Sequence, residues 1–160
     1  MTREEELHKE YMHKAIELAE ASVSKGGGPF GAVIVRDGKL VAEGYNCVTL
    51  DNDPTAHAEV TVIRRACKEL STFDLSGCEI YTSCEPCPMC LAAIYWARID
   101  KIYYGCNKTD AKDIGFDDSF IYDQIDLKPE DRSIPAKNMM REEALSAFRL
   151  WENKDDKIEY

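Results

Sequence analysis

Residues 79–105 read EIYTSCEPCPMCLAAIYWARIDKIYYG, and their order decides the fold. EIYTS and KIYYG are short runs of β-branched and aromatic residues, the composition of strands, whereas PMCLAAIYWAR between them is long and apolar all round and reads as a buried helix. Strand, crossover helix and second strand imply parallel neighbours joined by a right-handed connection, with helices covering both faces of the sheet. Upstream, FGAVIVR and LVAEGY flank Asp37 and Gly38, a favoured pair for a two-residue hairpin turn, so two antiparallel strands join that sheet. Leu7, Tyr11, Ala15, Leu18 and Ala19 recur at helical spacing and mark a first helix that stops at Gly26, Gly27, Gly28 and Pro29. No lysine followed by serine or threonine comes after this glycine run, so it is read as a turn and a close backbone approach, not a phosphate cradle. Val60, Ile63, Ala66, Cys67 and Leu70 give a second helix after the Asp53, Pro54, Thr55 turn, and Ala144, Leu145, Phe148 and Trp151 a last one. The expectation is an α/β protein of three layers, α/β/α, in one domain spanning 1–160.

The chain has 160 residues, 44% of them hydrophobic, which is enough for one real core. A formal charge of −10 is the opposite of the electrostatic footprint of a nucleic-acid binder, so no nucleic acid is expected as partner. The charged opening MTREEELHKE and the lack of any long apolar run point to a cytoplasmic protein that meets no membrane. Seven cysteines are an odd count, and Cys84, Cys87 and Cys90 cluster; both features favour metal over disulfides. Cys47, Cys67, Cys78 and Cys106 lie among apolar or strand-like neighbours and read as small hydrophobes.

His57 and Glu59 in PTAHAEV, with Cys87 and Cys90 in CEPCPMC, carry the chemistry. One imidazole and two thiolates give zinc three of its four ligands and leave a position for water or substrate, which distinguishes a catalytic site from a closed structural one. Such coordination brings the pKa of water to about 7. Glu59, two residues from the histidine, is placed to shuttle protons as the catalytic acid and base. His57 and Cys87 fall at helix starts, where partial positive charge favours thiolates, and the three-residue spacing turns the sulfurs of Cys87 and Cys90 to one side. The bland alternative is a structural zinc closed by Cys84, which precedes Cys87 by the same spacing.

H-x-E followed by P-C-x-x-C is the signature of the zinc nucleobase deaminases, and the chain resembles the cytidine-deaminase superfamily. Within it, the chain is similar to the small bacterial guanine deaminases, from GGGPFGAVIV through NDPTAHAEV, YTSCEPCPMC and IYWAR to GFDDSFIYDQID and the final tyrosine. The resemblance implies a central mixed sheet of about five strands. It implies one Zn2+ per subunit and hydrolysis of guanine to xanthine and ammonia. It also implies that Asn46 hydrogen-bonds the purine, that Phe30 and Trp96 enclose it, and that Asp118 lies over the pocket. On the residues alone, Phe30 and Trp96 suit core packing equally well. Finally, the resemblance implies a homodimer whose C-terminal segment, about 130–160, is swapped so that Tyr160 closes the partner's pocket. The alternatives are a tRNA adenosine deaminase, a cytosine- or cytidine-type deaminase, and a non-catalytic zinc-stabilised domain.

Overall fold

Helix α1, Arg3–Ser24, begins in a capping box: the Thr2 hydroxyl accepts from the Glu5 N–H at 3.2 Å, and the Glu5 carboxylate accepts from the Thr2 N–H at 2.8 Å. Tyr11, Ala15, Ala19 and Ser22 follow at helical spacing and are its buried residues. The small side chains let the helix lie directly on the sheet. At Gly31 the approach is so close that a Cβ would stand 2.6 Å from the Ala19 nitrogen and 2.8 Å from the Leu18 Cβ.

Strands β1 (Gly31–Arg36) and β2 (Lys39–Tyr45) form the expected hairpin. Asp37 and Gly38 both take positive φ, as a two-residue turn matched to strand twist requires. After α2 (Val48–Asp51) and α3 (Ala58–Leu70) come β3 (Cys78–Cys84), α4 (Pro88–Trp96) and β4 (Lys101–Cys106). The order is β2-β1-β3-β4, with β1 antiparallel to both neighbours and β3 parallel to β4 across the α4 crossover. The sheet therefore has four strands, not about five. Directly after β4, Asn107 and Asp110 form a second capping box that turns the polar chain into α5, Lys108–Asp113, where no alternating apolar run exists to extend the sheet.

Both faces are covered. Ala32, Ile34 and Ile80 meet Val62 and Ala66 of α3 and Ile94 of α4 on one side; Val33, Val35 and Tyr81 meet Tyr11 of α1 on the other. Helix α4 ends two residues before the expected Arg98. Arg98 takes left-handed φ, the Ile99 N–H reaches the Ile94 carbonyl, and Ile99 packs on the core beside Ile94, an end usually made with glycine.

The computed structural model describes residues 1–160, in two compact units, Met1–Asp118 and Ser119–Tyr160. The second unit holds α6 (Ser119–Ile125), a 3-10 turn at Pro129–Asp131 and α7 (Arg141–Glu152). Within it Gln124 is a hub, its carbonyl accepting from Arg132 Nε at 3.0 Å and its side chain from the Ser133 N–H at 2.8 Å. No helix is long and apolar enough to cross a membrane.

Candidate active site

The site lies where α3 and α4 begin. An Asx turn precedes α3: Asp53 Oδ1 accepts from the Thr55 N–H at 2.8 Å and from its hydroxyl at 2.7 Å. His57 is the N-cap of α3 and Cys87 the N-cap of α4, with Pro88 in the first turn, where its missing N–H costs nothing. Neither side chain caps its own helix; both point to a common centre. His57 Nδ1 stands 3.5 Å from the sulfur of Cys87 and 3.5 Å from that of Cys90.

That spacing fits zinc. With Zn–S near 2.3 Å and Zn–N near 2.05 Å, tetrahedral angles put nitrogen and sulfur about 3.6 Å apart. His57, Cys87 and Cys90 are also the group whose ligand atoms lie within 4.8 Å of one another. Cys84 is not in that group. Its sulfur turns to the Asn107 carbonyl at 3.9 Å, and burial pushes its thiol up to about 12, so it does not make a fourth ligand. Three donors with one position left open describe a catalytic geometry.

The thiol of Cys90, followed by His57, pushes the Cys87 thiol well below its ordinary range, while hydrogen bonding to Cys87 and then burial push Cys90 up. His57 is raised, mainly by its bond to Cys87. Glu59 is 5% exposed; burial raises its pKa, so this carboxyl takes up a proton more readily than a solvated one. Its Oε1 is 3.4 Å from the Thr82 hydroxyl, which donates to the Cys84 carbonyl at 2.9 Å.

The residue profile of the cytidine and deoxycytidylate deaminase zinc-binding region matches residues 5–106, which include all four of these side chains. The chain belongs to this deaminase family. The deaminase is 55% identical to guanine deaminase of Bacillus subtilis over 154 residues, covering 96% of this chain and 99% of that one. The X-ray structure of a Bacillus subtilis guanine deaminase superposes with a TM-score of 0.92 at 53% identity, covering 100% of this chain and 99% of the other. A tRNA-specific adenosine deaminase of Aquifex aeolicus is 43% identical over 99 residues, 61% of this chain and 66% of that one.

The other expected residues of the deaminase fall as follows. Asn46 is 6% exposed and its side-chain oxygen accepts from the Val48 N–H at 3.1 Å. The Asn46 N–H donates to the Phe30 carbonyl at 3.0 Å, and the Cys47 N–H to the Ala56 carbonyl at 2.9 Å, so both segments are tied to the chain leading into His57. Phe30 packs partly on the core and meets Phe116 edge-on, ring centroids 5.0 Å apart. Trp96 is 64% exposed, which rules out core packing for it. Asp118 is half-buried; burial raises its pKa and the Cys87 charge adds to the shift, so it lies within electrostatic reach of the cluster. Tyr160 ends the second unit. Phe116, Thr82 and Ser22 carry no expected role from the sequence. Phe116 opens the FDDSF string within GFDDSFIYDQID and Thr82 lies in YTSCEPCPMC, so both stand inside quoted motifs; Ser22 belongs to none.

Proposed function

We propose that this protein is a guanine deaminase, converting guanine and water to xanthine and ammonia. The observation that carries the reading is the open His57, Cys87, Cys90 centre with Glu59 buried beside it, in a chain similar to a guanine deaminase from end to end. The tRNA deaminase likeness covers only 61% of the chain, and the acidic surface is poorly suited to a polyanion.

His57, Cys87 and Cys90 would hold the zinc, which supplies Lewis acidity and activates water at neutral pH. In this reading Glu59 takes a proton from the attacking water and passes it to a ring nitrogen. A carbon–oxygen bond forms at C2 of the base; Glu59 then takes the proton of the added hydroxyl and delivers it to the exocyclic amine, the carbon–nitrogen bond breaks, the C2 carbonyl forms and ammonia departs. The Val48 N–H takes one lone pair of the Asn46 side-chain oxygen, so the amide keeps its NH2 donors and a second lone pair for the purine. Phe30 encloses the ring and Asp118 supplies a second carboxyl beside it, whereas Trp96, at the opposite end of α4 from Cys87, is not brought to that centre within one chain.

The reading extends to a cytoplasmic homodimer in which the segment from about 130 to 160 exchanges between subunits and Tyr160 closes the partner's pocket. Ammonia release with guanine, adenine, guanosine, cytidine and a tRNA anticodon arm tests the substrate assignment; turnover of another substrate without guanine would overturn it. Mixing inactive Glu59→Gln full-length protein with protein truncated before Tyr160 tests the exchange. Regain of about a quarter of native activity is the signature of intact sites closed by a partner's tail, and no regain would refute it.

A further inference from the structure

The residue that joins the two base-binding segments is Ser22, in the last turn of α1, a position outside every deaminase motif in the chain. It is fully buried. Its hydroxyl donates to the Gly28 carbonyl at 2.7 Å and lies 3.2 Å from the Asn46 carbonyl, a second acceptor for the same proton. Its own carbonyl accepts from the Gly27 N–H at 2.8 Å. The space around it is filled: a Cβ at Gly27 would stand 2.5 Å from the Ser22 Oγ and 2.7 Å from the Asn46 carbonyl oxygen. The Asn46 side chain rests against Gly28, where an added Cβ would lie 3.4 Å from its Cγ. The turn that presents Phe30 and the strand end that presents Asn46 thus share one hydroxyl, and the Asn46 N–H closes the loop on the Phe30 carbonyl.

We propose that Ser22 is a positioning residue for the purine: its bridge between the Gly28 and Asn46 carbonyls sets where the Asn46 amide sits relative to the Phe30 ring. The inference rests on the reading of Asn46 as a base-binding residue. The Ser22 hydroxyl bonds to the Gly28 and Asn46 carbonyls and not to Glu59 or a metal ligand, so loosening it weakens binding of guanine without changing the chemical step, which places its effect in KM and leaves kcat largely intact.

Steady-state kinetics of the zinc-loaded enzyme test this, with Ser22→Ala, Ser22→Cys, Gly27→Ala and Asn46→Ala measured well below their melting temperatures. Loss of one buried hydrogen bond predicts a rise of about tenfold in KM for guanine in Ser22→Ala, with kcat within about threefold of native. Ser22→Cys, nearly the same size and a weaker donor, falls between. Gly27→Ala keeps the hydroxyl but crowds the same bridge, and gives the same KM-weighted loss. The inhibition constant of the product xanthine shifts in parallel. Lower melting temperature with unchanged KM in Ser22→Ala would make Ser22 merely structural and overturn the proposal. If Ser22→Ala does not fold, Ser22→Cys and Gly27→Ala decide it by the same criterion. Asn46→Ala separates the two levels: unchanged KM there sinks the base-binding reading itself, whereas a raised KM with native values in the Ser22 and Gly27 variants sinks only the proposal.

Discussion

Replacing Glu59 by glutamine separates the proton shuttle from the scaffold that holds it. Glutamine is nearly isosteric and can still meet the Thr82 hydroxyl, 3.4 Å from Oε1, but it cannot accept or return a proton. General acid and base catalysis is worth about 10² to 10⁴ in rate, and here one carboxyl serves every transfer, so kcat should fall by at least about 10². The fold should not suffer. Burial is the dominant cause of the raised Glu59 pKa, which means that its ionised form is disfavoured in the folded protein. An amide carries no such penalty, so the metal-free variant should melt at or above the temperature of the metal-free parent at neutral pH. The assays are ammonia release with guanine, zinc content by elemental analysis, and thermal unfolding followed by circular dichroism. More than about a tenth of native kcat at full zinc occupancy would refute the shuttle assignment. A low rate with lost zinc would instead make Glu59 a support of the metal centre.

Three further outcomes follow from the same geometry. Chelation should abolish activity yet leave the far-ultraviolet circular dichroism intact, because the core of Ile34, Val62, Ile80 and Ile94 packs without the metal; zinc should restore turnover, and unfolding on chelation would contradict this. Two bonds from Thr55 hold the Asp53 carboxylate below its ordinary value of 3.8, so its stabilising effect is present above that value and is lost as pH falls through the lower folded one. The melting temperature of Asp53→Ala should therefore trail the parent near pH 6 and converge with it in acid; a gap that persists in strong acid would be inconsistent. Gly31→Ala would put a methyl against the Ala15 carbonyl and 2.6 Å from the Ala19 nitrogen, forcing α1 off the sheet at a cost of about 3 kcal/mol or more in denaturant melts. A shift below about 1 kcal/mol would mean that the helix yields easily.

The parts of the fold legible in the sequence are those in which a local signal and the tertiary demand coincide. Asp37 and Gly38 specify a hairpin by backbone preference alone, and the tertiary register agrees. The α4 crossover was legible because PMCLAAIYW is a long apolar run between two strands, but the burial expected of it is not met within one chain: only Cys90 and Ile94 are buried, and Tyr95 and Trp96 are exposed. Its end was not legible, because Arg98 adopts the left-handed conformation at a steric cost that the packing of Ile94 and Ile99 offsets. No window of sequence shows that balance. The strand count erred for a related reason: it came from resemblance, while the residues after Cys106 favour a helix cap.

The site divides along the same line. Zinc ligation needs particular atoms at helix starts, and local sequence fixes helix starts, so His57, Cys87 and Cys90 could be named before their sulfurs and nitrogen were found 3.5 Å apart. Substrate orientation depends instead on contacts between segments distant in sequence, such as Ser22 with Asn46 and Phe30 with Phe116. These contacts join residues 24 and 86 positions apart, and neither serine nor phenylalanine advertises such a partner. Deaminases that share one metal motif can therefore differ in the base they accept without any change in the motif, because selection acts on the second set of contacts. In this chain those contacts run through the end of α1, the glycine turn and the loop before Asp118. Exchanging these segments should move specificity, whereas changes within CEPCPMC should move only metal occupancy and rate.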